Sequence, residues 1–450
     1  MTRTKALLLA AGEGTRLRPL TEVLPKCLVP LGGRPLLAHW VHTLESAGVR
    51  EALVNTNAHA SLVRDYLALN NTRSATRLVE THEPRLLGSA GTLAAHPGFA
   101  DDAEAVLIIY ADNLSGIDLT TLLQFHASHS DPFTMLLFRA SDPSACGIAT
   151  LDTDNRIVAF EEKPKQPSSD LANAGLYVVD AAVYRDMATA NAFDIGHDLL
   201  PRYTGHMRGL PFNGFHLDVG SPQSYRHGQQ EAGAWAASRF HKDGPGKPAI
   251  FLDRDGTLIE DVPYLRDPKA VRLVPDAAKT LQRFRDAGFA CVITTNQSGV
   301  GRGMMSKADL ARVHDAFISD LAAQGASVDA IYHCPTKPSI TDRRTIEDLN
   351  RKPGPGMLWQ AAMDLGLDVH RSWMIGDMVS DILAGRYAGC AGSVWLRGGN
   401  SNSEENGLIN HTTLGATSLE EAADTILRRH ATDGIREASI PSTAQGVQGS

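Results

Sequence analysis

At 450 residues, 43% hydrophobic and 21% charged, the chain has the make-up of a folded protein with a sizeable core, and it is too long for one ordinary domain. A formal charge of -8 and a pI near 6.1 leave no basic field for wrapping nucleic acid, so small anionic metabolites in local basic clefts are the expected partners. No run approaches the roughly 18 apolar residues of a membrane span, and five scattered cysteines (Cys27, Cys146, Cys291, Cys334, Cys390) suit a reducing cytoplasm better than a disulfide framework.

The first apolar run, 6–11, is too short for a signal core and leads straight into glycines, so it reads as a strand. Runs at 52–55, 105–111 and 134–138 follow, separated by helix-like stretches, in the rhythm of a mainly parallel α/β sheet. A polar stretch with Gly and Pro interrupts this rhythm and predicts a linker at 237–248. Strands at 249–253, 290–294, 330–333 and 373–375, with helices near 276–287 and 308–323 between them, predict a second α/β domain. The expected layout is therefore domains at 1–236 and 249–431 and a disordered Ser/Thr/Gly/Gln-rich tail at 432–450. The halves show no internal repeat.

Directly after the first strand, Leu9-Ala-Ala-Gly-Glu-Gly-Thr-Arg16 places glycines where backbone N–H groups can approach a triphosphate. Leu9, Ala11, Gly12, Gly14, Thr15, Arg16 and Lys26 are the candidate nucleotide-binding residues of this stretch. A glycine-rich turn alone is a weak signal, but Gly12-x-Gly-Thr-Arg-x-x-Pro19 followed by Pro25-Lys26 resembles the signature of the sugar-1-phosphate nucleotidyltransferases. Further segments match in the expected order over nearly all of 1–230. The stretch from His82 to Leu93, with Glu83 and Gly88, resembles the base-and-sugar loop of that family. Tyr110-Ala-Asp112-Asn113 stands at a strand end, Phe160-Glu-Glu162-Lys163 and Asn173-Ala-Gly175 resemble the sugar-phosphate segment, and Leu217-Asp218-Val-Gly220 resembles the segment with a second acidic metal ligand. The resemblance, which extends to mannose- and heptose-1-phosphate guanylyltransferases, implies Mg²⁺ on Asp112 and Asp218. It also implies catalytic Arg16 and Lys26, and sugar-phosphate contacts from Asn113, Glu162, Lys163 and Asn173. Any one of these acids taken alone would more commonly cap a helix or sit in a solvated turn.

The second domain opens on Phe251-Leu-Asp253-Arg-Asp255-Gly-Thr257, two carboxylates two residues apart at a strand end. Asp253 can attack a phosphoryl group while Asp255 handles the leaving-group proton, with Arg254 pointing elsewhere and Gly256 allowing the sharp turn. With Thr294-Thr295-Asn296, Arg351-Lys352 and Gly376-Asp377-x-x-x-Asp381 following, this resembles the haloacid-dehalogenase (HAD) phosphatases. Within them it resembles the heptose bisphosphate and histidinol phosphate branch, over about 249–400 and including Arg302. The resemblance implies a Rossmannoid fold with a minimal cap. It gives catalytic roles to Asp253, Asp255, Thr295 and Lys352, substrate contacts to Asn296, Arg302 and Arg351, and Mg²⁺ ligation to Asp253, Asp255 and Asp377, with Asp381 in support.

Two departures from that branch are visible. Cys334-Pro-Thr336 and Asp348-Leu-Asn350 stand where relatives carry zinc-binding Cys and His pairs, so no zinc is expected, and Met378 replaces a common basic residue. Together the resemblances imply a bifunctional enzyme of nucleotide-sugar synthesis with Mg²⁺ at both sites. Its expected partners are a nucleoside triphosphate (GTP favoured), a sugar phosphate and a sugar bisphosphate, with no nucleic acid and no membrane; a homo-oligomer is left open. Two alternatives stand beside this: a histidinol-phosphate-type phosphatase fused to a hexose-1-phosphate nucleotidyltransferase, and one half serving as a silent nucleotide-sugar sensor.

Overall fold

A computed structural model describes residues 3–240, 246–396 and 411–438. The chain divides into two compact units, Met1–Ala232 and Gly233–Ser450.

The first unit is built on a nine-stranded sheet. Its parallel part pairs β1 (Thr4–Leu9) with β2 (Glu51–Thr56), β2 with β3 (Arg77–His82), and β1 with β4 (Ala105–Tyr110). β1 and β4 are nearly continuous apolar runs, as expected of strands covered by helices on both faces; Ala6, Leu7 and Leu8 are fully buried. The remaining strands are β5 (Phe133–Arg139), β6 (Gly147–Leu151), β7 (Ile157–Glu162), β8 (Leu171–Asp180) and β9 (Arg208–Phe212). They join through antiparallel β8, which pairs with β4, β5 and β6. The sheet is thus more mixed than the rhythm of the sequence predicts, because the four strands after β5 alternate with charged and glycine-containing turns that hide their periodicity. Leu7, Ile108, Phe133, Tyr177 and Tyr184 lie in one continuous core.

Two features of this sheet position side chains. Leu9 is in register with Tyr110, so the glycine-rich loop and Asp112 leave from adjacent strand ends on the same edge of the sheet. A short antiparallel ribbon, Asn113–Ser115 with His216–Asp218, sets Asp218 opposite Asn113 and so beside Asp112.

The second unit has an all-parallel six-stranded sheet. Its strands are β10 (Lys247–Leu252), β11 (Ala290–Asn296), β12 (Ala330–Cys334), β13 (Leu367–Gly376), β14 (Gly392–Trp395) and β15 (Thr412–Gly415), in the order β12-β11-β10-β13-β14-β15. That is the doubly wound order, whose reversal beside the first strand opens a crevice at the carboxyl ends of the strands. Asp253 follows β10 at this point, its N–H donating to Ile375 O at 3.0 Å. Between Asp253 and Thr295 the described residues hold a short turn of helix, Pro268–Ala270, and one helix, Ala277–Asp286, with no inserted domain.

The element boundaries differ from expectation at two places. The helix Pro222–Phe240 runs into the stretch predicted as a linker, and β10 already begins at Lys247; residues 241–245 lie outside the described residues. The helix Leu419–Ala438 extends beyond position 432, and 439–450 lie outside the described residues. In both cases Ala-containing helical segments carry on past the last obvious apolar repeat.

Candidate active sites

In the first unit the charged groups converge on one lysine. Lys26, buried in a short helical turn, places its ammonium 2.8 Å from Asp112 Oδ2 and 3.7 Å from Asp218 Oδ1, and Arg16 lies 3.9 Å from Asp218. Two carboxylates and two cations from four distant segments therefore share one locus. Gly14 makes the turn: it has φ +63°, and a Cβ there would come within 2.9 Å of Thr21. Gly12 faces open space, leaving room at the loop for another molecule's backbone approach.

The loop is anchored by a residue that sequence reasoning missed. Asn55, at the end of β2, accepts the N–H groups of Ala10 and Ala11 at 2.6 and 3.1 Å. Its amide donates to Glu83 Oε1 and Thr92 Oγ1, both at 3.0 Å, while Thr92 donates to Glu83 Oε1 at 2.6 Å and Leu87 N–H to Oε2 at 3.2 Å. Glu83 is thus buried inside a network that ties the glycine-rich loop to the segment carrying Gly88, and its carboxylate faces protein donors. Gly88 (φ +77°) packs so closely that a Cβ would meet Phe193 O at 2.3 Å.

Asn113 donates to Ala174 O at 3.2 Å across a bulge in β8, where Asn173 Oδ1 accepts Gly175 N–H at 2.9 Å and Asn173 donates to Tyr177 Oη at 2.7 Å. These asparagines shape the backbone of the predicted sugar-phosphate segment. Lys163 stands apart at the end of β7, exposed, with its ammonium 3.6 Å from Glu162; among the described residues no ion pair joins it to Asp112 or Asp218.

The second unit holds a tighter constellation at the crevice. Lys352, almost wholly buried, lies 2.9 Å from Asp253 Oδ1 and 2.6 Å from Asp381 Oδ1. Burial acts to lower the pKa of Lys352, but the charges of Asp253 and Asp381 hold it above its ordinary value. Burial pushes the Asp381 carboxyl up to about 7; the Asp253 charge adds to this and Lys352 opposes it. Oxygens of Asp253, Asp377 and Asp381 lie within 4.8 Å of one another, so Asp381 stands with the other two acids. The Asp255 carboxylate lies outside that group, and burial raises its pKa.

Asn296 uses both ends of its amide on the Lys352 backbone, donating to the carbonyl at 2.9 Å and accepting the N–H at 3.1 Å, so it sets the lysine in place. Thr295, Arg302 and Arg351 line the same cavity, of about 530 Å³. Arg343, from the loop over this cavity, donates to the sulfur of Met378 at 3.4 Å and so brings a cation to a position whose own side chain is uncharged.

One expectation is corrected: Arg254 does not point elsewhere. It is fully buried, and its guanidinium grips Asp255, with Nε donating to Oδ1 at 3.1 Å and Nη2 to both oxygens at 3.0 Å. Alternation along a strand predicts the opposite face for a neighbouring residue, but β10 ends at Leu252 and the turn at Gly256 (φ +72°) folds the two side chains together. Gln297, also unanticipated, donates to Asp255 Oδ2 at 2.6 Å.

The loop that carries the departures from the zinc pattern is held by acids. Asp348 accepts from the Thr336 hydroxyl at 2.6 Å and from Asn350 N–H at 2.8 Å, Arg351 donates to Thr336 O at 2.9 Å, and Glu347 receives Ser339 and Ile340 N–H groups. Cys334 is buried, with burial raising its thiol, while His333 faces outward beside His314.

Comparison with known proteins follows this division. A nucleotidyl transferase family profile matches residues 5–234. The chain belongs to the nucleotidyl transferase family. A HAD-hydrolase-like profile matches residues 349–422, so the second unit carries a HAD-like hydrolase domain. The nucleotidyl transferase unit is similar to the catalytic subunit beta of mannose-1-phosphate guanylyltransferase. Identity is 31% over 228 residues with the protein of Drosophila melanogaster, covering 50% of this chain and 62% of the relative. It is also 31% over 228 residues with that of Danio rerio, covering 50% and 63%. The chain thus spans less than two thirds of these relatives' length. A provisionally assigned HAD-like phosphatase from Mesorhizobium loti, of known structure, is 32% identical with a TM-score of 0.36, covering 42% of this chain and 88% of that one.

Two outcomes are expected from this geometry. In Gly256→Ala the new Cβ would stand 2.6 Å from Asp377 Oδ2 on strained backbone, and a displacement of that size lowers turnover on the order of 100-fold. Phosphate release from a phosphomonoester, assayed alongside nucleotidyl transfer, checks that only the first reaction falls. Elemental analysis of purified protein is expected to find no stoichiometric zinc, and Asp348→Ala to speed limited proteolysis within 335–350. Bound zinc whose chelation unfolds that loop would contradict this.

Proposed function

We propose that the chain is a bifunctional enzyme of nucleotide-sugar synthesis. In this reading the HAD-like unit removes one phosphate from a sugar bisphosphate, and the nucleotidyl transferase unit joins a nucleotide to the sugar 1-phosphate that remains. The observation that carries the reading is that each unit gathers its own pair of carboxylates over a buried lysine at the carboxyl ends of parallel strands. A sensor domain that did no chemistry would have no need to hold such costly charge clusters together.

The preferred substrate is D-glycero-D-manno-heptose 1,7-bisphosphate, dephosphorylated at O7, and the preferred nucleotide donor is GTP. GTP is supported by the guanylyltransferase relatives. The heptose is supported by the motif resemblance together with the fusion, since one sugar carrying two phosphates suits both reactions. A cytoplasmic location accords with the free cysteines; no helix among the described residues is long and apolar enough to cross a membrane.

Carboxylate oxygens are the hard donors that Mg²⁺ takes, and both acid sets fit it: Asp253, Asp377 and Asp381 in one unit, Asp112 and Asp218 in the other. When bound, the ion supplies neutralising charge for the phosphoryl oxygens. In the HAD-like unit, Asp253 attacks phosphorus while the bond to the leaving sugar oxygen breaks, and the Asp255 carboxyl gives that oxygen its proton. Water then attacks the aspartyl-phosphate, loses its proton to Asp255, and Asp253 is freed. Lys352 balances the nucleophile and the phosphate, and Thr295 donates to phosphate oxygens. In the transferase unit an oxygen of the sugar phosphate attacks the α-phosphorus, the α–β bridge breaks, and pyrophosphate leaves. Arg16 and Lys26 balance the charge on the departing group, Lys163 holds the incoming phosphate, and backbone N–H groups of the Gly12–Gly14 loop orient the triphosphate.

Separate sites should fail separately. Asp253→Asn is expected to abolish phosphate release and spare nucleotide transfer, and Asp112→Asn to do the reverse; loss of both reactions from either change in folded protein would count against the proposal. A time course with heptose 1,7-bisphosphate and GTP is expected to pass through heptose 1-phosphate before GDP-heptose accumulates. Hydrolysis of histidinol phosphate alone would replace this substrate assignment.

A further inference from the structure

The carboxylate of Asp255 is held by Arg254 and Gln297, while 23% of its side-chain surface stays exposed in the cavity it lines. A carboxylate offers about four acceptor positions. Two nitrogens of Arg254, at 3.0 to 3.1 Å, and the amide of Gln297 at 2.6 Å fill part of this capacity. Arg254 is fully buried and is fixed a second time by its backbone N–H, which donates to Asp253 Oδ1 at 2.8 Å. Gln297 is buried too, and its amide also reaches Thr295 Oγ1 at 2.9 Å. Burying a guanidinium is costly unless its geometry is good. Here the planar fork meets the carboxylate through two nitrogens and so fixes the plane of the carboxyl, which a lysine's point charge cannot do.

We propose that Arg254 and Gln297 are positioning residues that aim the Asp255 carboxyl at the leaving oxygen of a phosphate ester held between Asp253 and Lys352. The inference rests on reading this unit as an aspartate-nucleophile phosphatase. Both residues act through Asp255. In the first step the Asp253–phosphorus bond forms, the phosphorus–sugar oxygen bond breaks, and the proton passes from Asp255 to that oxygen. Gln297 also donates to Thr295 Oγ1, so it ties the Asp255 carboxyl to a second residue lining the cavity.

A role in proton delivery is separable from a role in folding, because an ester with an acidic leaving group needs little help from an acid and a sugar phosphate needs much. General acids supply roughly 10²–10⁴-fold. The test measures kcat/KM of the full chain, Arg254→Lys and Gln297→Leu on a sugar phosphate and on p-nitrophenyl phosphate. In each variant the loss on the sugar phosphate is expected to exceed the loss on the aryl ester by about 10-fold or more, part of that general-acid contribution. Equal losses on both esters overturn the proposal. If circular dichroism shows that Arg254→Lys is unfolded, the ratio in Gln297→Leu decides alone. A wild-type chain that hydrolyses neither ester refutes the phosphatase reading itself, an outcome distinct from equal losses.

Discussion

Phosphoryl chemistry requires carboxylates to be crowded where a phosphate will arrive, and like charges 4 Å apart repel by about 4 kcal/mol at the effective dielectric of a protein surface. In both units a single lysine meets this constraint. Lys26 stands against Asp112 and Asp218, and Lys352 against Asp253 and Asp381, each lysine side chain more than nine-tenths buried. Much else follows from the need to deliver a lysine to that spot. In the first unit it arrives on a short turn beyond the glycine-rich loop. In the second it arrives on a long loop, with Asn296 gripping its backbone from the end of β11.

The sheets supply the remaining precision. Parallel strands end in register, so residues just past β1 and β4, or past β10 and β13, are neighbours although they lie about a hundred residues apart. The first sheet reaches its second acid through a side ribbon, and the second reaches its acids through the helix after β13, where Asp381 accepts the Met378 N–H at 2.9 Å. Polar groups that never face the cavity make these ends rigid. Asn55 and Glu83 stiffen the glycine-rich loop, and Asp348 and Thr336 close the loop over the phosphatase cavity.

Much of this was legible in the residues, for physical reasons. Acids at strand ends and glycines at tight turns are local features, and the spacing of Asp253, Asp255, Lys352 and Asp377 carries a pattern that few other folds need. What escaped depends on contacts between distant segments. Nothing around Asn55 marks it as the anchor of a loop 45 residues away, or Glu83 as its hydrogen-bond partner. Arg254 escapes because strand alternation does not hold two residues past the end of β10 at Leu252. The linker and tail boundaries fall too early because the helices Pro222–Phe240 and Leu419–Ala438 run on past their last apolar repeat.

The acid cluster of the second unit stands because a buried lysine balances it, and a double-mutant cycle in denaturant measures that balance. Removing one partner of a buried ion pair typically destabilises by about 3–5 kcal/mol, so Lys352→Met is expected to lower the unfolding free energy of the second unit, read from urea titration, by that much. In an Asp381→Asn background the same change should cost less than half as much, because less charge is left uncompensated. An equal cost in both backgrounds would mean that Lys352 does not balance Asp381.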